Sequence, residues 1–182
     1  MAKVLIPLGD GFEDLEAISV IDVLRRVGVE VHLASLTKDL AVTSDCGIIM
    51  QAKVRIEEVE AKDYEGVIMP GGFGGVQNMI GSETLAKVVR KIHSEGKIVA
   101  AICAAPLALF KMGVLQEAKF TCYPSVENEI KNPNYVCENV VQDGNIITSR
   151  GPATALEFAY YLAEIFVGKE KALEVKKGML AC

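Results

Sequence analysis

Ala101-Ile102-Cys103-Ala104-Ala105 joins a short apolar run to a helix-forming stretch. Small residues two before and two after a nucleophile-type side chain permit the tight strand-to-helix turn of a nucleophile elbow. A thiol held there lies at a helix N-terminus, whose partial positive charge favours the thiolate. Taken alone, the pattern also suits a structural cysteine packed as a small hydrophobe.

Glu16 is the second residue of interest. It shares one helical arc with Ala17, Val20, Val23, Leu24 and Val27, and such an arc faces a core. A carboxyl group in apolar surroundings beside a thiolate resists ionisation, because desolvation and like charge both oppose it. Protonated, it can donate a hydrogen bond to sulfur. The alternative is a solvated first-turn acid favoured by the helix dipole. Glu13 lies on the same arc, nearer the frayed end.

Two glycine-rich loops complete the set. In the first, Gly9-Asp10-Gly11, the third glycine of a dinucleotide fingerprint is replaced by Asp14. Glu13, Asp14 and Glu16 crowd the place a pyrophosphate would need, so no nucleotide cofactor is expected. The second, Gly71-Gly72-Phe73-Gly74-Gly75, reads either as a tight turn or as a loop whose backbone N–H groups face a site, as in an oxyanion hole. His32 reads as a strand or core residue and His93 as a solvent-facing helix residue. Neither completes a Cys-His-acid triad. The five cysteines, Cys46, Cys103, Cys122, Cys137 and Cys182, form no CxxC pair, which argues against a zinc site or a disulfide framework.

Alternating patterns supply the elements that must hold these residues. Apolar runs predict strands at Lys3–Leu8, Val29–Leu36, Gly66–Met69, Ile98–Ile102 and Lys119–Tyr123. Val136–Val141 and Ile146–Ser149 flank the turn signal Asp143-Gly144, and short β-like pieces in residues 40–57 suggest a hairpin around Gly47. Helices are predicted at Glu13–Val27, Ser82–Ser94 with Ser82 as cap, Ala104–Met112 with Pro106 in its first turn, Pro152–Val167 and Lys169–Met179. Short all-apolar strands between helices argue for a mostly parallel sheet covered on both faces, with its site at the carboxyl ends of the strands. Leu15 and Ile18 lie opposite the core arc of the first helix, a hint of a homodimer.

Composition fits one such domain. The chain has 182 residues, 51% hydrophobic and 24% charged, with a net charge of −5. A chain of this length buries roughly 70% of its unfolded surface. No basic stripe points to nucleic acid, and the clustered Lys169, Lys171, Lys176 and Lys177 read as solvated helix faces. Acids soon after Val4–Leu8 are wrong for a signal peptide. The run from Ile98 to Phe110 is short for a membrane span and contains Pro106. Cys182, as the last residue, does not form a prenylation box. A cytoplasmic protein without membrane or nucleic-acid partners is expected.

Pro70-Gly71-Gly72, Ala100-Ala101-Ile102-Cys103-Ala104-Ala105-Pro106 and Thr148-Ser149-Arg150-Gly151-Pro152, with Glu13-Asp14-Leu15-Glu16 before them, resemble the ThiJ/PfpI family. They look like the branch of the Parkinson-disease-associated protein deglycase and its bacterial relatives. The resemblance runs over nearly the whole chain. It implies a flavodoxin-like three-layer sandwich, a single domain and a homodimer. It implies that Cys103 is an oxidation-prone, low-pKa nucleophile, that Glu16 is its protonated partner, and that the backbones of Gly72 and Ala104 form an oxyanion hole. Arg26 and Arg150 match positions near the dimer-related mouth of the site, although Arg26 also suits its helix C-terminus and Arg150 a carboxylate pair. Tyr123 stands where many members carry a histidine. A tyrosine is no ready base at neutral pH, which argues against a protease.

Two functions follow. One is an enzyme whose Cys103 thiolate attacks glyoxal, methylglyoxal or their adducts on proteins, as a deglycase or cofactor-independent glyoxalase. The other is an oxidative-stress sensor and chaperone regulated by oxidation of Cys103. Both need the same thiolate.

Overall fold

The computed structural model describes residues 2–181; Cys182 lies outside them. Strands β1 (Lys3–Leu8), β2 (Glu30–Ser35), β5 (Val54–Arg55), β6 (Gly66–Met69), β7 (Ile98–Ile102), β8 (Val140–Asp143) and β9 (Ile146–Ser149) form a seven-stranded sheet in the order β5-β2-β1-β6-β7-β9-β8. All neighbours pair in parallel except β8, which runs antiparallel to β9 at the edge. The five strands β2-β1-β6-β7-β9 follow the flavodoxin-like order, with the reversal between β1 and β6. Strands β3 (Ala41–Thr43) and β4 (Ile49–Gln51) make a separate antiparallel hairpin around Gly47.

The central strands are buried on both faces, as their unbroken apolar runs require. Val4, Leu5, Val67, Val99, Ala100 and Ala101 are wholly inaccessible. Helices α1 (Asp14–Arg26), α5 (Ala155–Val167) and α6 (Lys169–Gly178) pack together on one face. Helices α2 (Phe73–Gly81), α3 (Glu83–Ser94) and α4 (Ala105–Lys111) cover the other. Ser82 caps α3 as expected, its hydroxyl accepting from the Leu85 N–H at 3.2 Å. No helix among the described residues is long and apolar enough to cross a membrane.

The structure corrects the sequence reading at four places. Lys119–Tyr123 is not a strand: it makes only an isolated bridge, Phe120 to Tyr135. The Thr121 N–H is taken by the Thr148 hydroxyl at 2.9 Å rather than by a neighbouring backbone, and Pro124 follows. The strand expected at Val136–Val141 begins only at Val140. The glycine-rich stretch after β6 is not all loop, because Phe73 opens α2 with Gly72 as its cap. Gly75 is needed inside that helix because a Cβ there would lie 2.9 Å from the Cα of Phe12. His93 is half-buried rather than solvent-facing, and its Nδ1 is buried without a partner among the described residues.

Candidate active site

Cys103 follows directly on β7, and its backbone takes the left-handed conformation, φ 65°. That conformation costs a non-glycine residue about 1–2 kcal/mol, so the surroundings must hold it. The Cys103 N–H donates to the Ser149 carbonyl at 3.0 Å, and its own carbonyl accepts from the Tyr123 N–H at 2.9 Å. The first bond ties the elbow to β9 and the second to the segment after Thr121. The tight strand-to-helix turn expected at Cys103 is therefore present in backbone geometry. Helix α4 starts two residues later with Pro106 in its first turn, and Cys103 is 7% exposed.

Glu16 reaches the same point from the first turn of α1. It is fully buried against Ile6, Ala17, Val20, Ile68, Pro70 and Ile102. The core arc read from the sequence is thus observed, and the solvated alternative is excluded. One carboxyl oxygen, Oε2, accepts from the Gly71 N–H at 2.7 Å; the other, Oε1, is buried without a partner among the described residues. Glu13 caps the helix, accepting from the Glu16 N–H at 2.7 Å. This bond fixes the turn from which Glu16 projects.

Gly71 lies between the thiol and the carboxyl. A Cβ at this position would lie 2.7 Å from both the Cys103 Cβ and Glu16 Oε2. Glycine is therefore required by close approach, and its N–H does the orienting. The Pro70-Gly71-Gly72 pattern after a buried strand marks this loop in the sequence, although nothing there singles out Gly71 as the donor. Gly72 has φ 84°, and its N–H, like that of Ala104, favours the ionised form of the Cys103 sulfur.

Electrostatics couple the acid and the thiol. Burial pushes the Glu16 carboxyl up to about 7; the bonds from Gly71 and Cys103 oppose this, and the Glu13 charge adds to it. Burial also pushes the Cys103 thiol up, and the charge and hydrogen bond of Glu16 push it further. The Ala104 and Gly72 N–H groups pull it back. The helix end does not yield a thiolate while Glu16 is ionised. A proton on Glu16 removes two of the three raising causes, and the pair titrates as a unit carrying one charge.

The other expected residues divide. The Tyr123 ring, 42% exposed, meets the Phe73 ring edge to face at 6.5 Å, so two aromatics flank the elbow. Phe73, 67% exposed, was not foreseen. Arg150 follows β9, and its buried Nε has no partner among the described residues. The chain does not bring Arg26 to Cys103. It lies ten residues beyond Glu16 on α1, about 15 Å along the axis, and pairs with Asp22 at 2.8 Å on the exposed side. His32, buried in β2, bonds the Tyr64 hydroxyl at 3.1 Å, away from the site.

The sequence model described as the DJ-1/PfpI family matches residues 2–165. The chain is 42% identical to protein dj-1beta of Drosophila melanogaster over 178 residues, covering 97% of this chain and 95% of that protein. It is 33% identical over 153 residues to a Pyrococcus horikoshii protein named deglycase PH1704, covering 83% and 91%. It spans only 41% of DJ-1 homolog B from Arabidopsis thaliana, at 37% identity and 98% of its own length. Among solved structures, Drosophila DJ-1beta superposes with a TM-score of 0.94 at 42% identity, covering 98% of this chain and 97% of that one. An oxidised form of Toxoplasma gondii DJ-1 gives 0.95 at 34% identity, covering 99% and 98%.

Proposed function

The chain belongs to the DJ-1/PfpI family, and on that premise we propose that it is a cysteine-dependent enzyme acting on glyoxal, methylglyoxal or their adducts on proteins. The Cys103 sulfur adds to the aldehyde carbon. Glu16 gives its proton to the oxygen and later takes one back, while the Gly72 and Ala104 N–H groups steady the developing oxyanion. Glu16 then moves the C–H proton of the resulting hemithioacetal to the adjacent carbonyl through an enediol, which leaves a thioester; water cleaves its C–S bond, releasing a hydroxy acid and restoring Cys103, and an adduct gives up its amine or thiol as the sulfur takes its place. The observation that carries this reading is the wholly buried Glu16 carboxyl beside the Cys103 elbow, close enough that a Cβ on Gly71 would lie 2.7 Å from both Glu16 Oε2 and the Cys103 Cβ. The deglycase name of the Pyrococcus relative supports the reaction class.

Loss of methylglyoxal by the wild-type chain, followed through hydroxy-acid formation, is expected to fall by at least 100-fold in Cys103→Ser and by 10²–10⁴-fold in Glu16→Gln, the usual worth of a positioned general acid–base group. Unchanged turnover in Cys103→Ser refutes the reading. A second reading, a sensor with chaperone activity regulated at Cys103, is favoured by one observation: the solved Toxoplasma relative is an oxidised form. In that case peroxide adds oxygen to Cys103 and alters holdase activity while methylglyoxal turnover is negligible.

The functional unit we infer is a homodimer. Leu15 and Ile18 of α1 are 51% and 43% exposed, and Ile48 and Ile49 of the hairpin 46% and 68%. The hairpin turn is tied to the same end of α1 by the Cys46 N–H, which donates to Asp14 Oδ2 at 3.3 Å. Their apolar surface therefore suits one covering partner, a second copy.

A further inference from the structure

Cys122 and Cys137 belong to a local structure that the Cys103 chemistry does not use. Phe120 and Tyr135 form a parallel bridge. The Phe120 N–H donates to the Asn134 carbonyl at 3.2 Å, and the Val136 N–H donates to the Phe120 carbonyl at 2.9 Å. The two rings meet edge to face with centroids 5.7 Å apart, so the side chains of the pair share one face. Parallel neighbours lie about 4.8 Å apart, and the side-chain direction repeats every second residue. Two residues on from this pair, in both segments, stand Cys122 and Cys137. A disulfide spans Cα separations of about 4.4–6.8 Å; the bridge is isolated and its ladder stops short of Cys122 and Cys137, so closing a bond there draws the two segments together by extending the pairing already begun at Phe120 and Tyr135. The ladder bonds end at Val136, and no backbone hydrogen bond among the described residues holds Cys137. Closing it onto Cys122 therefore breaks no backbone hydrogen bond of Cys137.

The two thiols differ in the way an oxidisable pair requires. Both are unbridged. Cys137 is exposed, so a peroxide in solvent reaches it. Cys122 is wholly buried, and its S–H points at Glu127 Oε2, 3.9 Å away. Burial, with the Glu127 charge added, pushes this thiol up to about 12, so it stays protonated and unreactive toward solvent oxidants. The Glu127 carboxylate is placed to accept its proton when a partner sulfur becomes electrophilic.

We propose that Cys122 and Cys137 are a second redox site, independent of Cys103, which a hydroperoxide closes to a disulfide. The Cys137 thiolate attacks the outer peroxide oxygen. The O–O bond breaks, Cys137 becomes a sulfenic acid, and the alcohol or water leaves after taking a proton. Cys122 then attacks the sulfenic sulfur, its proton passing to Glu127 and on to the departing hydroxide. One disulfide and one water are formed, and the two electrons lost by the thiols have reduced the peroxide.

The test exposes Cys103→Ser protein to a few equivalents of hydrogen peroxide, blocks remaining thiols, and maps tryptic peptides without reduction. Cleavage at Lys119, Lys131 and Arg150 puts the two cysteines in different peptides. The expected product is one linked peptide, two hydrogens lighter than the sum of its parts, formed within a monomer and released by dithiothreitol. It is absent in Cys137→Ser, where Cys122 remains a thiol. Oxidation is also expected to raise Tm by several degrees, since a bridge across about 15 residues restricts the unfolded chain. Cys137→Ser changes an exposed residue and so keeps the test valid if Cys122→Ser fails to fold. The proposal is overturned if Cys137 is over-oxidised with Cys122 still reduced, or if it pairs with Cys46 or with a second chain. Because Cys103 is absent throughout, neither outcome depends on the proposed enzyme activity.

Discussion

Replacing Glu16 by glutamine should change how stability depends on pH more than it changes stability itself. The Glu16 carboxyl titrates at about 7 in the folded protein, against 4.5 for an unperturbed glutamate, chiefly because it is buried. Between these values the folded state keeps a proton that the unfolded chain has released. Stability is therefore fullest below pH 4.5, falls as pH rises, and levels off above 7. Raising the carboxyl from 4.5 to about 7 corresponds to about 3 kcal/mol. Because the group is fully buried, solvent screening does not reduce this much. Glutamine keeps the acceptor for the Gly71 N–H but has no proton to lose, so it should show none of this loss. Urea unfolding at half-unit steps from pH 4.5 to 8.5 measures both proteins, and the other titrating groups cancel in the difference. The variant should gain about 3 kcal/mol on the wild type across the window. A difference that stays flat within about 0.5 kcal/mol would falsify the buried-acid argument. Alkylation of Cys103 over the same series shows where the charge goes. A wild-type rate that rises through the window, with a higher midpoint in Glu16→Gln, puts it on sulfur.

Two other outcomes follow from backbone and surface. At φ 65° the Cys103 backbone suits glycine, so Cys103→Gly should be more stable than Cys103→Ala by about 1 kcal/mol. Thermal unfolding of the two inactive variants checks it, and the reverse order would mean that the elbow is unstrained. Leu15→Asp should convert a dimer into monomers at micromolar concentration in sedimentation experiments while leaving the far-ultraviolet spectrum intact; an unchanged mass would move the copy interface away from the outer face of α1.

Strands β1, β6 and β7 were legible to the residue because their apolar runs are buried on both sides and end in glycine, proline or the elbow. Glu16 was legible because an acid on an otherwise apolar helical arc has only the core to face. What local pattern missed were elements whose partners lie far along the chain. The Thr121 N–H goes to a side chain of β9, so a β-like stretch forms no ladder. Phe73 begins a helix because Gly74 and Gly75 let it pack onto the backbone of residues 10–12, a contact invisible from within its own loop. The sequence alone picked out Cys103 at a strand-to-helix turn and Glu16 on an apolar helical arc. Only the tertiary structure decided their protonation: the charge on Cys103 depends on a carboxyl 87 positions earlier in the chain, and on a depth of burial that no run of residues specifies until the sheet closes over it.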